Sequence, residues 1–268
     1  MTMPLNLILV RHGESEGNVA TARSKAGDHS DYTGEFLRRH NSFWRLTDNG
    51  IWQAQEAGRW IREHIGSAFG RYYTSGYLRA METAYYLGLP DANWYADFNL
   101  RERDWGSFDS ISREERAARF AEVLKERERD GFSWRPPYGE SIADVCLRET
   151  RVLDTLHREC TDMDVIIVCH GEIIWAFRIL LERLTQRRFN ELDASKDTRD
   201  RIHNCQVLHY TRVDPVTREV HPYLNWVRSV CPTDLSLSTN KWQVIDRKRY
   251  SNEDLLAEVS LAPRLISE

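Results

Sequence analysis

The side chains best equipped for chemistry lie at two places where an apolar run stops abruptly. In LILVRHGESEGN, residues 7–18, Arg11 and His12 stand side by side after a continuous apolar stretch and before a glycine. In DVIIVCHGEII, residues 164–174, the design returns as an apolar stretch, then His170, then Gly171. Each run has the length and unbroken apolar character of a parallel strand buried on both faces. In open α/β sheets, ligands bind beyond the carboxyl ends of such strands, where loops meet helix N-termini. Gly13 permits a sharp turn there, and Gly171 permits close approach of helix amides to a ligand. A helix N-terminus already favours an anion through its unpaired N–H groups. An arginine and two histidines beside it suit phosphate, because a guanidinium grips two phosphoryl oxygens in a bidentate fork. A histidine at one strand end is more often a hydrogen-bonded structural residue. Two in the same design make a site hypothesis.

The rest of the chain alternates strand and helix patterns that would position these groups. LTDNGIWQAQEAGRWIREHI, 46–65, spaces Ile51, Ala54, Gly58, Ile61 and Ile65 as a helix face, with Thr47 or Asp48 as N-cap. A short strand is predicted over 71–75, and a helix over 77–90, stopped by Gly88 and Pro90. Residues 112–129 read as one charged surface helix with a narrow stripe of Phe120, Val123 and Leu124. Residues 141–160 repeat Ile142, Val145, Val152, Leu153 and Leu156 at helical period. Residues 204–228 suggest a β-hairpin turning at Asp214-Pro215, on a sheet edge. Beyond about 230 the pattern decays, apart from a short helix near NEDLLAEVS, and the sequence contains no internal repeat or low-complexity linker.

Composition narrows the class. With 29% charged and 41% hydrophobic residues among 268, the chain reads as an ordinary globular protein of one domain. A net charge of −4 gives no argument for a nucleic-acid partner. Five scattered cysteines without a CxxC pair argue against a disulfide framework or zinc cluster and fit a reducing cytoplasm. Neither Leu5–Val10 nor residues 172–184 suit a signal sequence or a membrane span, so the expected location is cytoplasmic, with no membrane partner.

Five blocks in order, RHGES, SGYLRAMETA with Ser75 and Arg79, LRERDWG with Glu102, PPYGES, and VCHGE with His170, resemble the histidine phosphatase superfamily, the phosphoglycerate mutase-like fold, from about Leu5 to Arg212. The resemblance implies a three-layer α/β/α sandwich whose mostly parallel sheet has one antiparallel edge strand. It also implies that His12 accepts the phosphoryl group, that Arg11, Arg79 and His170 complete the phosphate pocket, and that Glu102 donates the proton to the leaving oxygen. Asn18 matches a position that often reaches the phosphate, Gly171 joins the substrate-binding set, and no metal or cofactor is required. For attack on phosphorus His12 must be neutral, a state that neighbouring cations favour, and its other ring nitrogen must hold the proton, most simply by donating to a turn carbonyl. On this pattern residues 1–212 form the core, with an insertion at about 19–46 and a helical cap at about 103–138, and residues 213–268 form an extension packed on the core.

Locally, Asp104 competes with Glu102 as the acid, and Cys169 is most simply a small core residue. Trp105, Phe108, Phe132, Trp134 and Tyr138 are candidates for an apolar cap, and Arg101, Arg103 and Arg113 for charge that attracts an anionic substrate; packing within the cap explains both sets equally well. RERDWG continues as SFDSISREE, without the lysine associated with phosphoglycerate recognition, and RLTDNGIWQA with RPPYGESIADV looks more like a phosphatase branch. The expected activity is therefore metal-independent hydrolysis of a small, anionic phosphate monoester through a phosphohistidine. A phosphoglycerate-type mutase is one alternative. The other is a catalytically weak phosphate-binding module that uses the C-terminal extension for a partner. The sequence leaves the oligomeric state open.

Overall fold

The computed structural model of the protein describes residues 2–109 and 111–266. In chain order the elements are β1 (Asn6–Arg11), α1 (Glu16–Lys25), α2 (Gly34–Arg38), α3 (Asp48–His64), β2 (Arg71–Thr74), α4 (Leu78–Tyr86) and β3 (Trp94–Ala96). Next come α5 (Arg113–Arg119), α6 (Ala121–Arg129), α7 (Ile142–Glu159), β4 (Asp164–Cys169), α8 (Gly171–Glu182) and α9 (Gln186–Asp193). The chain continues through β5 (Val207–Thr211), β6 (Trp226–Val230), β7 (Gln243–Val244) and α10 (Asn252–Ser260).

The seven strands form one sheet in the order β3-β2-β4-β1-β5-β6-β7. β3, β2, β4 and β1 are mutually parallel, whereas β5, β6 and β7 are joined by antiparallel pairings. Because β6 reverses the reversal made at β5, it runs with the first four, and the sheet is mostly parallel. β7 is the antiparallel edge strand, and β5 is a second reversed strand inside the sheet. Side chains alternate across a strand, so the apolar run of β1 feeds two cores. Leu7 and Leu9 join residues of α7 and α8 on one face, while Ile8 and Val10 join α3 and α4 on the other. All four are fully buried, each worth about 1.5–3 kcal/mol by burial. That makes the three layers, helices on either side of the sheet.

Caps define the helices that flank the site. Thr47, rather than Asp48, caps α3 by accepting from the Gly50 N–H at 3.0 Å. Ser141 and Asp144 form a reciprocal capping box on α7.

Three expectations change. The helix expected over 112–129 is two, α5 and α6, separated at Phe120 (φ −131°, ψ 30°), whose ring turns in against Phe108 at 5.0 Å. Charged residues dominate both halves, and this one inward aromatic outweighs the continuity of the helix. The tight turn at Asp214-Pro215 forms, with Asp214 Oδ1 accepting from the Val216 and Thr217 N–H groups. The strand returning from it, however, pairs through a single bridge, Val213 with Val220, before the chain straightens as β6 beside β5. The hairpin is thus interrupted and lies inside the sheet. The expected boundary at 212/213 falls between these two paired strands, so there is no structural seam at that point.

The turn after β1 lies against the first turn of α3 backbone to backbone: a Cβ on Gly13 would overlap the Gly50 carbonyl, and one on Gly50 would overlap the backbone of Glu14. Gly50→Ala should therefore lower unfolding stability by about 1–3 kcal/mol, the usual cost of overpacking a tight contact. Urea denaturation measures it, and an unchanged midpoint would show that the turn gives way freely.

Candidate active site

Strand register builds the site. Arg11 pairs with Cys169, so the residues one step beyond β1 and β4, His12 and His170, are neighbours. Their ring centroids are 5.1 Å apart. Thr74 pairs with Val168, and the next residue, Ser75, donates its N–H to Val168 O at 3.0 Å. Three adjacent parallel strands thus end on Ser75, His170 and His12.

The His12 ring is fixed at both nitrogens. Nδ1 lies 2.7 Å from Gly13 O, a carbonyl that only accepts, so Nδ1 carries the proton and Nε2 keeps its lone pair. Arg79, the second residue of α4, donates Nε–H to that Nε2 at 3.2 Å and Nη1–H to Asn41 O at 2.7 Å. Arg11 donates Nη1–H to Ile202 O at 2.6 Å, and its Nε is buried without a partner among the described residues. His170 caps α8 and meets Ser75 Oγ through Nε2 at 2.8 Å, while its Nδ1 lies 3.9 Å from Glu102 Oε2. Donor atoms of His12, Glu102 and His170 lie within 4.8 Å of one another. That trio has metal-ligand chemistry, but Arg79 and Arg11 bring two positive charges to it, which suits an anion better than a divalent cation.

Electrostatics prepare the two titrating groups in opposite directions. Burial, then the charges of Arg79 and Arg11, hold His12 well below the ordinary histidine value, and burial with Arg79 does the same for His170. Burial, then Glu172, pushes Glu102 up against the opposing pull of Arg79. A neutral imidazole beside a carboxyl biased toward its acid form is the protonation pattern of a nucleophile and a general acid.

Asn18 lies in the first turn of α1, where its Oδ1 accepts from Ser15 N–H and from Asn204 Nδ2 at 3.1 Å each. That assigns the amide and leaves Nδ2 as the donor Asn18 brings to the cavity it lines. The cavity holds about 370 Å³ and includes Arg11, His12, Asn18, Arg79 and Glu102. Gly171 sits beside the Arg11 guanidinium, but an added Cβ would make only ordinary contact there at 3.5 Å, so close approach does not explain this glycine. Asp104, the rival acid, is exposed and accepts from Gly106 N–H at 2.7 Å, outside the cavity lining.

The expected cap is partly reassigned. Trp105 and Phe108 line the cavity, and Trp134 supports Phe108 from behind at 5.6 Å. Phe132 instead packs on Phe189 at 5.8 Å, and Tyr138 is 93% exposed. Arg103 turns inward to Glu140 O and Trp134 O, and Arg101 pairs with Glu140 at 3.0 Å. Arg113 is likewise absent from the lining, where Lys25, Arg116 and Arg127 appear instead.

A model of the histidine phosphatase superfamily (branch 1) matches residues 7–207. The chain belongs to that superfamily. A 2,3-bisphosphoglycerate-dependent phosphoglycerate mutase of Methylobacterium radiotolerans is 30% identical over 195 residues, which cover 69% of this chain and 83% of that protein. Human 6-phosphofructo-2-kinase/fructose-2,6-bisphosphatase 1 is 29% identical over 189 residues, 70% of this chain and 34% of that one. The fold is also that of a mycobacterial glucosyl-3-phosphoglycerate phosphatase (TM-score 0.58, 21% identity, 76% of this chain and 90% of that one). The alpha-ribazole phosphatase from Shigella flexneri is similar too (TM-score 0.61, 18% identity, 82% and 96%).

Several residues of this candidate site carried no local signal. Asn41 and Trp44 come from residues 19–46, where polar and aromatic residues mix without period. Asn204 holds both His12 O and Asn18. Glu140 and Arg148 organise the Glu102 loop: the Glu140 carboxylate accepts from Arg101, Asp104 N–H and Arg148, and Arg148 also bonds the carbonyls of Asn99 and Glu102. The PPYGES block contains that glutamate, so its place in the motif was the available signal.

The His12 ring should remain neutral at pH 6, where a free histidine of pKa about 6.5 is mostly protonated. Nitrogen-15 NMR should find the proton on Nδ1, and Arg79→Met, which removes a positive charge, should raise the titration midpoint. An imidazole titrating near 6.5 in the wild type would contradict the geometry.

Proposed function

We propose that this chain is a metal-independent phosphatase that hydrolyses small anionic phosphate monoesters through a phosphohistidine on His12. One observation carries the reading: His12 has Nδ1–H anchored on Gly13 O and an unprotonated Nε2 that accepts from Arg79 and lies near His170 and Glu102. In the first step Nε2 forms a bond to phosphorus as the ester P–O bond breaks, and the Glu102 carboxyl gives its proton to the departing oxygen. In the second, the Glu102 carboxylate takes a proton from water, the water oxygen bonds to phosphorus and the P–N bond breaks, releasing inorganic phosphate. Arg11, Arg79, His170 and Asn18 would meet the phosphoryl oxygens, with the α8 amide at Gly171 beside them. The partner is then a small phosphorylated molecule.

Hydrolysis, rather than mutase transfer, is supported by the run after Glu102, which has no lysine through Glu115 and whose Arg103 is committed to Glu140 O and Trp134 O. The relative in Methylobacterium keeps phosphoglycerate mutase as the second reading. We read 1–212 as the catalytic core with its insertion and cap, and 213–268 as an extension that is no separate domain, since it continues the sheet of the core through β6 and β7. Among the described residues no helix is long and apolar enough to cross a membrane, and five buried free cysteines suit a reducing cytoplasm.

A quenched reaction with labelled substrate should give acid-labile, alkali-stable label that disappears in His12→Ala, and turnover should survive EDTA. Label on serine, or a strict requirement for added magnesium, would refute the mechanism.

Glu102→Gln cannot protonate an alkoxide, so it should slow alkyl phosphates by at least about a hundredfold, roughly 2.7 kcal/mol, and p-nitrophenyl phosphate far less. Equal losses would make Glu102 structural. Interconversion of phosphoglycerates primed by 2,3-bisphosphoglycerate would select the mutase.

A further inference from the structure

Ser75, the first residue of the SGYLRAMETA block, has no part in the reaction written above. It follows β2, is fully buried, and meets the equally buried His170 at 2.8 Å, Ser75 Oγ against His170 Nε2. Burial, then Arg79, His12 and Arg11, hold His170 well below the ordinary histidine value, so its ring is neutral near pH 7. A neutral imidazole carries one ring proton, on Nε2 or on Nδ1. Its position decides whether the ring offers a phosphoryl group a hydrogen or a lone pair.

The hydrogen-bond partners favour one form. Ser75 Oγ already accepts from the Tyr77 N–H at 3.3 Å, and its other partner among the described residues is His170. With the proton on Nε2, the serine hydroxyl hydrogen would have no acceptor and the Nδ1 lone pair no donor, two unmet groups in a fully buried place. With the hydroxyl donating to Nε2, the serine is satisfied and one Nδ1–H is left over. That hydrogen faces the catalytic edge. Nδ1 is buried without a partner and lies 3.9 Å from Glu102 Oε2, too far for a hydrogen bond, so its N–H is free for a ligand oxygen. The edge-to-face rings of His12 at 5.1 Å and Tyr77 at 5.2 Å hold the imidazole in that attitude.

We propose that Ser75 is a positioning residue that donates its hydroxyl hydrogen to His170 Nε2 and thereby fixes the Nδ1–H tautomer, the form that can give a hydrogen bond to a phosphoryl oxygen beside His12. One tautomer then serves two ends. His12 turns its Nδ1–H away to Gly13 O and attacks with Nε2, whereas His170 turns Nε2 away to the serine and presents Nδ1–H. The role toward phosphate rests on the hydrolytic reading of the same site; the tautomer does not.

Nitrogen-15 NMR of the full chain without ligand reads the tautomer, because protonated and unprotonated ring nitrogens resonate apart. His170 should show Nδ1–H and an unprotonated Nε2. A wild-type ring protonated on Nε2 overturns the proposal, and should Ser75→Ala fail to fold, this spectrum alone decides. In the folded Ser75→Ala variant nothing donates to Nε2, so the two tautomers should mix, and calorimetry should find inorganic phosphate bound about tenfold more weakly. Its kcat/KM should fall by one common factor for alkyl phosphates and p-nitrophenyl phosphate, since both present the same phosphoryl oxygens, unlike the selective loss expected of Glu102→Gln. An unchanged tautomer or an unchanged phosphate affinity in Ser75→Ala would refute the assignment. An Nδ1–H ring whose phosphate binding depends on Ser75, in a protein that releases no phosphate from esters, would leave the serine's role standing and refute hydrolysis.

Discussion

The register of three parallel strands governs this molecule. Pairing of Arg11 with Cys169 and of Thr74 with Val168 brings His12, His170 and Ser75 to one edge of the sheet. A slip of one residue would send each side chain to the opposite face. The fully buried runs of β1 and β4, packed between two helical layers, make such a slip very costly. The stability of the core and the alignment of the site are therefore secured by the same contacts.

Around that edge the fold concentrates positive charge. Arg79 is 4% exposed, and burial lowers the pKa of both Arg11 and Arg79, though neither can lose its proton near neutral pH. Backbone carbonyls of Ile202 and Asn41 hold one donor of each. Carbonyls fix direction without cancelling charge, so the field at His12 remains positive and adds to burial, the larger effect, in favouring the neutral imidazole. The same field opposes the burial that raises Glu102, and burial outweighs it. Two groups a few ångströms apart are thereby shifted in opposite senses by one environment.

Glu102 belongs to a loop that a network of charged side chains ties down. Glu140 and Arg148 tie residues 99 to 104 to the start of α7, whose capping box is formed by the next residue, Ser141. The segment before α3 acts similarly on the other side, where Asn41 fastens Arg79 and Trp44 lines the cavity. Segments distant in sequence thus hold Glu102 and Arg79 where local structure alone would not.

What the sequence determined by itself was whatever rests on short-range pattern. Continuous apolar runs predicted β1 and β4, helical spacing predicted α3 and α7, and the Arg-His-Gly and His-Gly strand ends marked Arg11, His12 and His170. Motif order added Arg79, Glu102 and Asn18, all of which line one cavity. Only the tertiary structure decided which cations face that cavity. Arg101, Arg103 and Arg113 have the same residue type as Arg116 and Arg127, but Arg103 turns inward to Glu140 and Trp134 while Arg116 turns toward the cavity. The break at Phe120 depends on the ring of Phe108 across a loop, and the second reversed strand at β5 on pairing with β1, far along the chain. Period and composition record how a residue relates to its near neighbours in sequence. The direction a long charged side chain takes is set by acceptors and rings that folding brings to it from elsewhere.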